Sequence, residues 1–166
     1  DPDDAARLRR LRSYGLDPSG VIAEAGACSR LDTLQAAFLA VNLPKLAARN
    51  ARRRELALRY RGAFENCVPD LPPDAPGHVY PLFVLRHPER DAFRQRLERA
   101  GIGTAVHYPR ALHHHPAFAD LGAPVPPLPN ATAWAAETVS LPIAHTMTDA
   151  EADRVAEAVH SQWKAQ

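Results

Sequence analysis

Residues 78–107, HVYPLFVLRHPERDAFRQRLERAGIGTAVH, are the part of the sequence that decides the fold. Residues 78–85 alternate in polarity and are rich in Val, Tyr and Phe, which predicts a β-strand. Pro81 favours an edge position or a bulge there, because proline cannot donate to a strand ladder. A helical period follows over residues 89–100, and residues 102–107 have the composition of a second strand. The stretch therefore predicts a strand, a helix and a strand in succession.

The sequence beyond this stretch adds a third strand and two helices. A short helix is predicted near residues 130–138, and residues 139–143 predict a short strand. Thr148 and Glu151 have the spacing of a capping box, so the last helix begins there. Its apolar stripe ends at Trp163, which we interpret as a core residue rather than a recognition aromatic. The whole pattern predicts an α+β fold, in which helices cover one side of a small sheet.

The first third of the chain is predicted to be helical. A helix begins at Asp1, and a loop follows over residues 16–29. From residue 30 onward apolar residues recur at helical spacing, which predicts a buried helical face. The residues of this face are Leu31, Leu34, Phe38 and Val41. We expect a helical segment over residues 1–66, which links from a large domain outside this sequence, and a small α+β domain over residues 67–166.

The composition limits the classes of function. The chain has 166 residues, 46% hydrophobic and 23% charged, with a net charge of +1. This balance argues against a nucleic-acid surface. The sequence contains no apolar run near membrane-spanning length and no signal-peptide pattern, so we expect a cytoplasmic protein without a membrane partner. Met147 is the only methionine, so we expect either a piece of a longer protein or a trimmed product.

Residues 107–115, HYPRALHHH, hold four of the eight histidines. Consecutive histidines on a helix do not converge on one ion, and on a strand His113 and His115 lack a further ligand nearby. This spacing disfavours a metal site. His107 and Tyr108 follow a predicted strand, and loops at strand ends commonly carry function. The alternative is a strand end whose tyrosine fills the core. The chain contains no phosphate-binding glycine loop, nucleophile elbow or HExxH motif.

Three stretches resemble the motifs of one family when they are taken in order. They are residues 26–37 (GACSRLDTLQAA), residues 99–109 (RAGIGTAVHYP), and residues 140–143 (SLPI) with 148–151 (TDAE). In this order they resemble the DegT/DnrJ/StrS family of pyridoxal-phosphate sugar aminotransferases, which have the type I fold of aspartate aminotransferase. The resemblance implies the C-terminal half of such an enzyme: a small domain with a short, mostly antiparallel sheet covered by helices, preceded by a long helical segment.

The family function implied is transamination of a nucleotide-linked keto-sugar in amino-sugar or antibiotic-sugar biosynthesis, with glutamate or glutamine as amino donor and a homodimer as the assembly. A lysine holds the cofactor as a Schiff base in this family. Lys45 and Lys164 do not match that lysine, which the family places just before the helix that begins at Asp1. The resemblance therefore implies that this chain alone is inactive and binds no pyridoxal phosphate covalently.

The resemblance also implies individual site residues. Cys28 falls where the family has an asparagine that reaches the cofactor phosphate across the dimer, and Arg30 matches the motif arginine. The alternative for that arginine is a salt bridge at the helix start, to Asp32 or its surroundings. The implied substrate-binding residues are His107, Tyr108 and His113.

A second hypothesis treats the chain as a stand-alone binding or dimerisation module without catalysis, derived from the same family. The thiol of Cys28 in place of an amide favours it. So does Ala144 followed by His145, where the family commonly has His-Pro or Gly-Pro. Sequence upstream of Asp1 distinguishes the two hypotheses, because only the first predicts a cofactor lysine there.

Overall fold

The computed structural model describes residues 1–118 and 126–163, and Lys164 lies outside this range. The chain forms two compact units, Asp1–Leu46 and Ala47–Gln166. The predicted division at residue 66 concerns the domains of the whole protein and stays a prediction.

The first unit contains two helices. Helix α1 (Pro2–Leu11) begins at Asp1, whose carboxylate accepts a hydrogen bond of 2.8 Å from the Asp3 amide. This acceptor satisfies a backbone donor that a helix start leaves free. Helix α2 (Thr33–Asn42) begins with a capping box, and a 3₁₀ turn (Leu43–Lys45) follows it. Both helices were predicted from the sequence.

The loop between α1 and α2 folds back along the end of α1. The Ala27 amide donates to the Leu11 carbonyl over 2.8 Å, and the Tyr14 amide donates to the Ala27 carbonyl over 3.1 Å. Gly15, at φ 76°, makes this close return possible, since a Cβ there would lie 1.8 Å from the Glu24 carbonyl oxygen. The loop therefore has a defined path, and glycine is required at its tightest point.

The predicted buried face of α2 is not buried in this chain. Its four apolar residues are between 62% and 67% exposed, and no residue of α2 is fully buried. The helix TLQAAFLAVN has no charged residue and is apolar on most sides. Helices of this kind are normally covered by other parts of a protein. The residues of the predicted face are Leu31, Leu34, Phe38 and Val41.

Among the described residues of the second unit, two antiparallel strands form a sheet. Strand β1 (Phe83–Arg86) pairs with strand β2 (Thr138–Leu141). On the other edge of β2, Ala105 and Ser140 exchange two backbone hydrogen bonds, of 2.8 and 3.1 Å. The paired positions are Phe83 with Leu141, Val84 with Ser140, Leu85 with Val139, and Arg86 with Thr138.

Two of the three predicted strands form, and both are shorter than predicted. Tyr80 has a φ of 45° immediately before Pro81, so the extended run begins only at Phe83. The predicted strand over residues 102–107 is reduced to the single bridge of Ala105. The chain leaves β2 there because Tyr108 adopts a φ of 59°, a left-handed conformation that ends extended pairing.

The α-helices of the second unit, within the described ranges, are α3 (Leu46–Phe64), α4 (Arg90–Arg99), α5 (Pro129–Glu137) and α6 (Asp149–Gln162). The predicted capping box of α6 is confirmed, since Thr148 and Glu151 exchange side-chain-to-backbone hydrogen bonds of 2.8 and 3.2 Å. Within the described ranges, no helix combines the length and apolar character needed to cross a membrane.

The core of the second unit is built from helices α3, α4 and α6 against the sheet. Tyr60, Phe64 and Phe83 are fully buried, with ring centroids 5.2 to 6.2 Å apart. Burying one large apolar side chain of this kind stabilises the folded state by roughly 1.5–3 kcal/mol relative to leaving it exposed. Other core residues are Leu56, Leu85, Phe93, Leu97, Val139, Leu141, Ala152, Val155 and Val159.

Arginines of α3 hold the start of α6. Arg52 donates to Asp149 over 2.7 Å, and Arg59 donates to Asp149 over 2.8 Å and to Asp153 over 2.6 Å. The Arg52 hydrogen bond, with the charge of Arg59, lowers the pKa of Asp149. These arginines therefore serve ion pairs between helices.

Trp163 belongs to the core edge, as predicted. Its ring packs edge-on against Phe93, with centroids 5.2 Å apart, and against the buried ring of His87. The Glu89 amide donates to Nδ1 of His87 over 3.0 Å. The ring proton therefore sits on Nε2, which donates to the Trp163 carbonyl over 3.2 Å. His87 thus joins the start of α4 to the end of α6.

Candidate functional site

The predicted site residues lie in two places. Cys28 and Arg30 belong to the loop of the first unit, and His107, Tyr108 and His113 belong to the second unit. Within the second unit, these three residues lie on one segment that follows the Ala105 bridge.

His107 is held by a residue that the sequence did not single out. Its Nδ1 lies 2.8 Å from the Ser140 hydroxyl oxygen, in the middle of β2. Val139 and Leu141 point into the core, and side chains alternate along a strand, so Ser140 points to the opposite face. There it meets the His107 ring, which is itself exposed. The sheet therefore fixes one edge of the imidazole and leaves the other edge accessible.

Tyr108 projects from the turn after His107. It is 83% exposed and has a φ of 59°, which β-substituted residues rarely adopt. Strained backbone of this kind costs about 1–3 kcal/mol and is concentrated at functional sites. This backbone conformation turns Tyr108 away from β2. The alternative prediction, in which the tyrosine fills the core, is therefore wrong.

His113 lies in a 3₁₀ turn (Leu112–His114) and is half-buried. Its ring centroid is 4.0 Å from that of His114. Ala111 is buried and precedes the turn. Among the described residues, no three His, Cys, Asp or Glu side chains converge as metal ligands would.

The loop of the first unit brings Tyr14, Cys28 and Arg30 together. Ser13 and Cys28 form an antiparallel bridge, which places Tyr14 beside the thiol. Hydrogen bonds from Tyr14 and then Arg30 lower the pKa of Cys28. The hydrogen bond with Cys28 raises the pKa of Tyr14. The guanidinium carbon of Arg30 also lies 6.0 Å from the centre of the Tyr14 ring, within cation–π range.

The alternative partner of Arg30, Asp32, has another role. Its carboxylate accepts from the Leu34 amide over 2.8 Å and so caps α2. The ion pairs of the described residues do not include one between Arg30 and Asp32. Arg30 is therefore directed toward Tyr14 and Cys28, and its exposed guanidinium can meet an anion there.

Sequence reasoning missed Tyr14 and Ser140. Ser140 is the first residue of the SLPI motif, and its alternation with Val139 and Leu141 signals that it faces away from the core. The contact with His107 spans 33 residues. No local pattern in the sequence indicates the Tyr14 contact.

The described elements have the fold of solved aminotransferase structures. The chain belongs to the DegT/DnrJ/EryC1/StrS aminotransferase family, whose model matches residues 1–160. This finding confirms the resemblance seen in the sequence motifs and the α+β fold expected from it.

The chain is 41% identical to the erythromycin biosynthesis sensory transduction protein EryC1 of Saccharopolyspora erythraea, over 93% of this chain and 43% of that protein. It is 38% identical to dTDP-3-amino-3,4,6-trideoxy-α-D-glucose transaminase of Streptomyces venezuelae, over 98% of this chain and 44% of that protein. The chain thus spans less than half the length of these relatives.

The fold of this chain is also similar to that of solved structures. S. venezuelae DesV, solved in complex with a ketimine intermediate, is similar over 100% of this chain and 46% of that chain, with 37% identity and a TM-score of 0.91. A DegT/DnrJ/EryC1/StrS aminotransferase from Brucella abortus has the same fold, with a TM-score of 0.90 at 24% identity.

Proposed function

We propose that this chain is the C-terminal part of a pyridoxal-phosphate-dependent aminotransferase that acts on a nucleotide-linked keto-sugar, with an amino acid as donor. The observation that carries the proposal is the pair of His107 and Tyr108, one held by Ser140 and the other turned outward, in a chain 38% identical to a dTDP-sugar transaminase. Both side chains present polar groups, which suit the hydroxyl and phosphate oxygens of such a substrate. A cytoplasmic location stays a prediction.

In the proposed reaction, the residues of this chain bind and orient the substrate and the cofactor. The cofactor, when bound, supplies the electron sink for the carbanion chemistry. His107, Tyr108 and His113 bind the sugar nucleotide, and Arg30 contributes a positive charge beside an anionic group of the cofactor or substrate.

The described residues fit pyridoxal phosphate only in part. The exposed Arg30 suits a phosphate, whereas the thiol of Cys28 is a weak hydrogen-bond donor to a phosphate oxygen. Lys45 lies exposed in the 3₁₀ turn after α2. Because neither Lys45 nor Lys164 matches the position of the family's cofactor lysine, we assign the Schiff-base lysine to sequence outside residues 1–166, and we expect the 166-residue chain to be inactive alone.

The test compares the protein made from its full coding sequence with residues 1–166 alone. Both are mixed with pyridoxal phosphate, 2-oxoglutarate and a panel of dTDP-linked amino sugars, and glutamate formation is followed. We expect transamination and a borohydride-reducible cofactor absorbance only in the longer protein. Absence of turnover with every sugar, together with absence of that absorbance, would overturn the proposal. Activity of residues 1–166 alone would overturn the assignment of the lysine.

A second candidate function, a non-catalytic dimerisation module, is favoured by the exposed apolar residues of α2. It predicts that the protein from the full coding sequence forms a stable dimer without transaminase activity. Sedimentation of that protein, beside the activity measurement, separates the two candidates. A dimer with activity supports the first and excludes the second.

A further inference from the structure

We propose that Ser140 is a positioning residue that fixes the tautomer of His107, so that Nε2–H faces the substrate as a hydrogen-bond donor. This inference rests on the proposed function for the identity of the ligand, an oxygen acceptor of the nucleotide-linked sugar. The tautomer itself follows from the contacts of this chain.

Ser140 lies in surroundings that are almost closed to solvent. Ser140 is 5% exposed, and its amide and carbonyl are both bonded to Ala105. Among the described residues, its hydroxyl has one partner, Nδ1 of His107, at 2.8 Å. A buried hydroxyl proton without an acceptor is unfavourable. Nδ1 is therefore the acceptor that this proton requires.

The hydrogen bond with Ser140 determines which nitrogen of the His107 imidazole carries the proton. A neutral histidine carries its proton on one ring nitrogen and accepts at the other. Because Nδ1 accepts from Ser140, the proton lies on Nε2. The opposite tautomer would let Nδ1–H donate to the hydroxyl oxygen, and the buried hydroxyl proton would then have no acceptor within the described part of the chain. The serine thus selects between two otherwise similar tautomers.

The backbone and Ser140 together fix the direction of the His107 ring. The two backbone bonds of Ala105 hold the segment two residues before His107, and the side-chain bond holds the ring itself. Tyr108 then turns the chain away from β2. The accessible edge of the imidazole, which carries Nε2–H, is consequently presented on the same segment as the exposed Tyr108 ring. A donor fixed in this way suits a sugar hydroxyl or phosphate oxygen and disfavours a cationic group.

The spectroscopic test uses the protein made from its full coding sequence, with its histidines labelled with ¹⁵N, at a pH where His107 is neutral. We expect the nitrogen shifts of His107 to show a protonated Nε2 and an unprotonated Nδ1. In Ser140→Ala we expect a mixture of tautomers, and in Ser140→Thr, which keeps the hydroxyl, we expect the original signal. A protonated Nδ1 in the unaltered protein overturns the proposal. So does an unchanged His107 signal in a folded Ser140→Ala protein.

The binding test uses dTDP-3-amino-3,4,6-trideoxy-α-D-glucose as the probe, measured by calorimetry. We expect Ser140→Ala to weaken binding roughly tenfold, the effect of one lost hydrogen bond, and Ser140→Thr to restore most of it. In a His107→Ala background we expect Ser140→Ala to have no further effect, because the serine acts through the histidine. Independent, additive effects overturn the positioning role.

The two proposals fail in different ways. If the unaltered protein neither transaminates nor binds any dTDP-linked sugar, the proposed function and the ligand assigned here are both overturned. The tautomer measurement is independent of activity, so it still decides whether Ser140 positions His107. If the protein is active but Nδ1 carries the proton, the function stands and the positioning role is overturned.

Discussion

Helices α2 and α6 begin in the same way and have opposite surroundings. Each starts with a capping box, formed by Asp32 in α2 and by Thr148 in α6. Helix α6 has a polar side and an apolar stripe, and the stripe is buried against α4 and the sheet. Helix α2 has no charged residue and buries none of its side chains in this chain. The apolar stripe of α6 therefore packs against other residues of the range 47–166. The apolar side chains of α2 require a covering surface that the described residues do not supply.

We expect one pair of matched substitutions to give the largest difference between the two units in the free energy of unfolding. Phe93→Ala on α4 removes a fully buried ring that packs on His87 and Trp163, so it should lower the free energy of unfolding by about 3–5 kcal/mol. Phe38→Ala on α2 removes a ring that is mostly exposed, and it should cost less than about 1 kcal/mol in the 166-residue chain. Denaturant unfolding followed by circular dichroism measures both. Equal losses would contradict the exposed position of Phe38.

The exposed apolar surface of α2 is expected to contribute to stability when the part of the protein that covers it is present. Phe38→Glu should destabilise the protein made from its full coding sequence by about 2–3 kcal/mol, because an apolar contact is lost and a charge is placed in the interface. In the 166-residue chain the same change should reduce self-association, which sedimentation detects.

Thr33→Glu is the matched control for this helix, since it adds the same charge in the first turn of α2, where the helix dipole tolerates an acid. Its stability and association should remain close to those of the unaltered protein. If Thr33→Glu and Phe38→Glu behaved alike, net charge rather than a specific apolar contact would explain the result.

The features that could be predicted from the sequence are those determined over a few residues. The caps of α1 and α6, the apolar stripe of α6 and the positions of both strands follow from residues at fixed, short spacing. The apolar face of α2 was recognised for the same reason, but periodicity cannot show whether its partner lies in the same chain. Contacts such as His107 with Ser140 and Tyr14 with Cys28 join distant residues across a fold, and they depend on where the backbone bends. The left-handed turn at Tyr108, which shortened a predicted strand, is such a bend of the backbone.

Helix capping should give a smaller effect that again separates the two units. Thr148→Ala removes the oxygen that accepts from the Glu151 amide over 3.2 Å, so it should lower the free energy of unfolding of the second unit by about 1 kcal/mol. Thr132→Ala is the matched control, because Thr132 is exposed within α5 and does not cap it. Hydrogen exchange of the α6 amides measures the change. Asp32→Ala should instead increase exchange in α2 and leave α6 unchanged, and increased exchange in both helices would contradict a local capping effect.

The smallest expected effect concerns the two cysteines, one in each unit. The hydrogen bond from Tyr14 is the largest cause of the lowered pKa of Cys28 and favours its thiolate, so Tyr14→Phe should raise that pKa. Since the thiolate is the reactive form, alkylation of Cys28 near neutral pH should become slower, and its pH dependence should shift upward. Cys67 is half-buried in the second unit and serves as the internal control, with an unchanged rate. Mass spectrometry of iodoacetamide-treated protein distinguishes the two sites. A slowed reaction at both cysteines would indicate a general change in structure rather than the loss of one hydrogen bond beside Arg30.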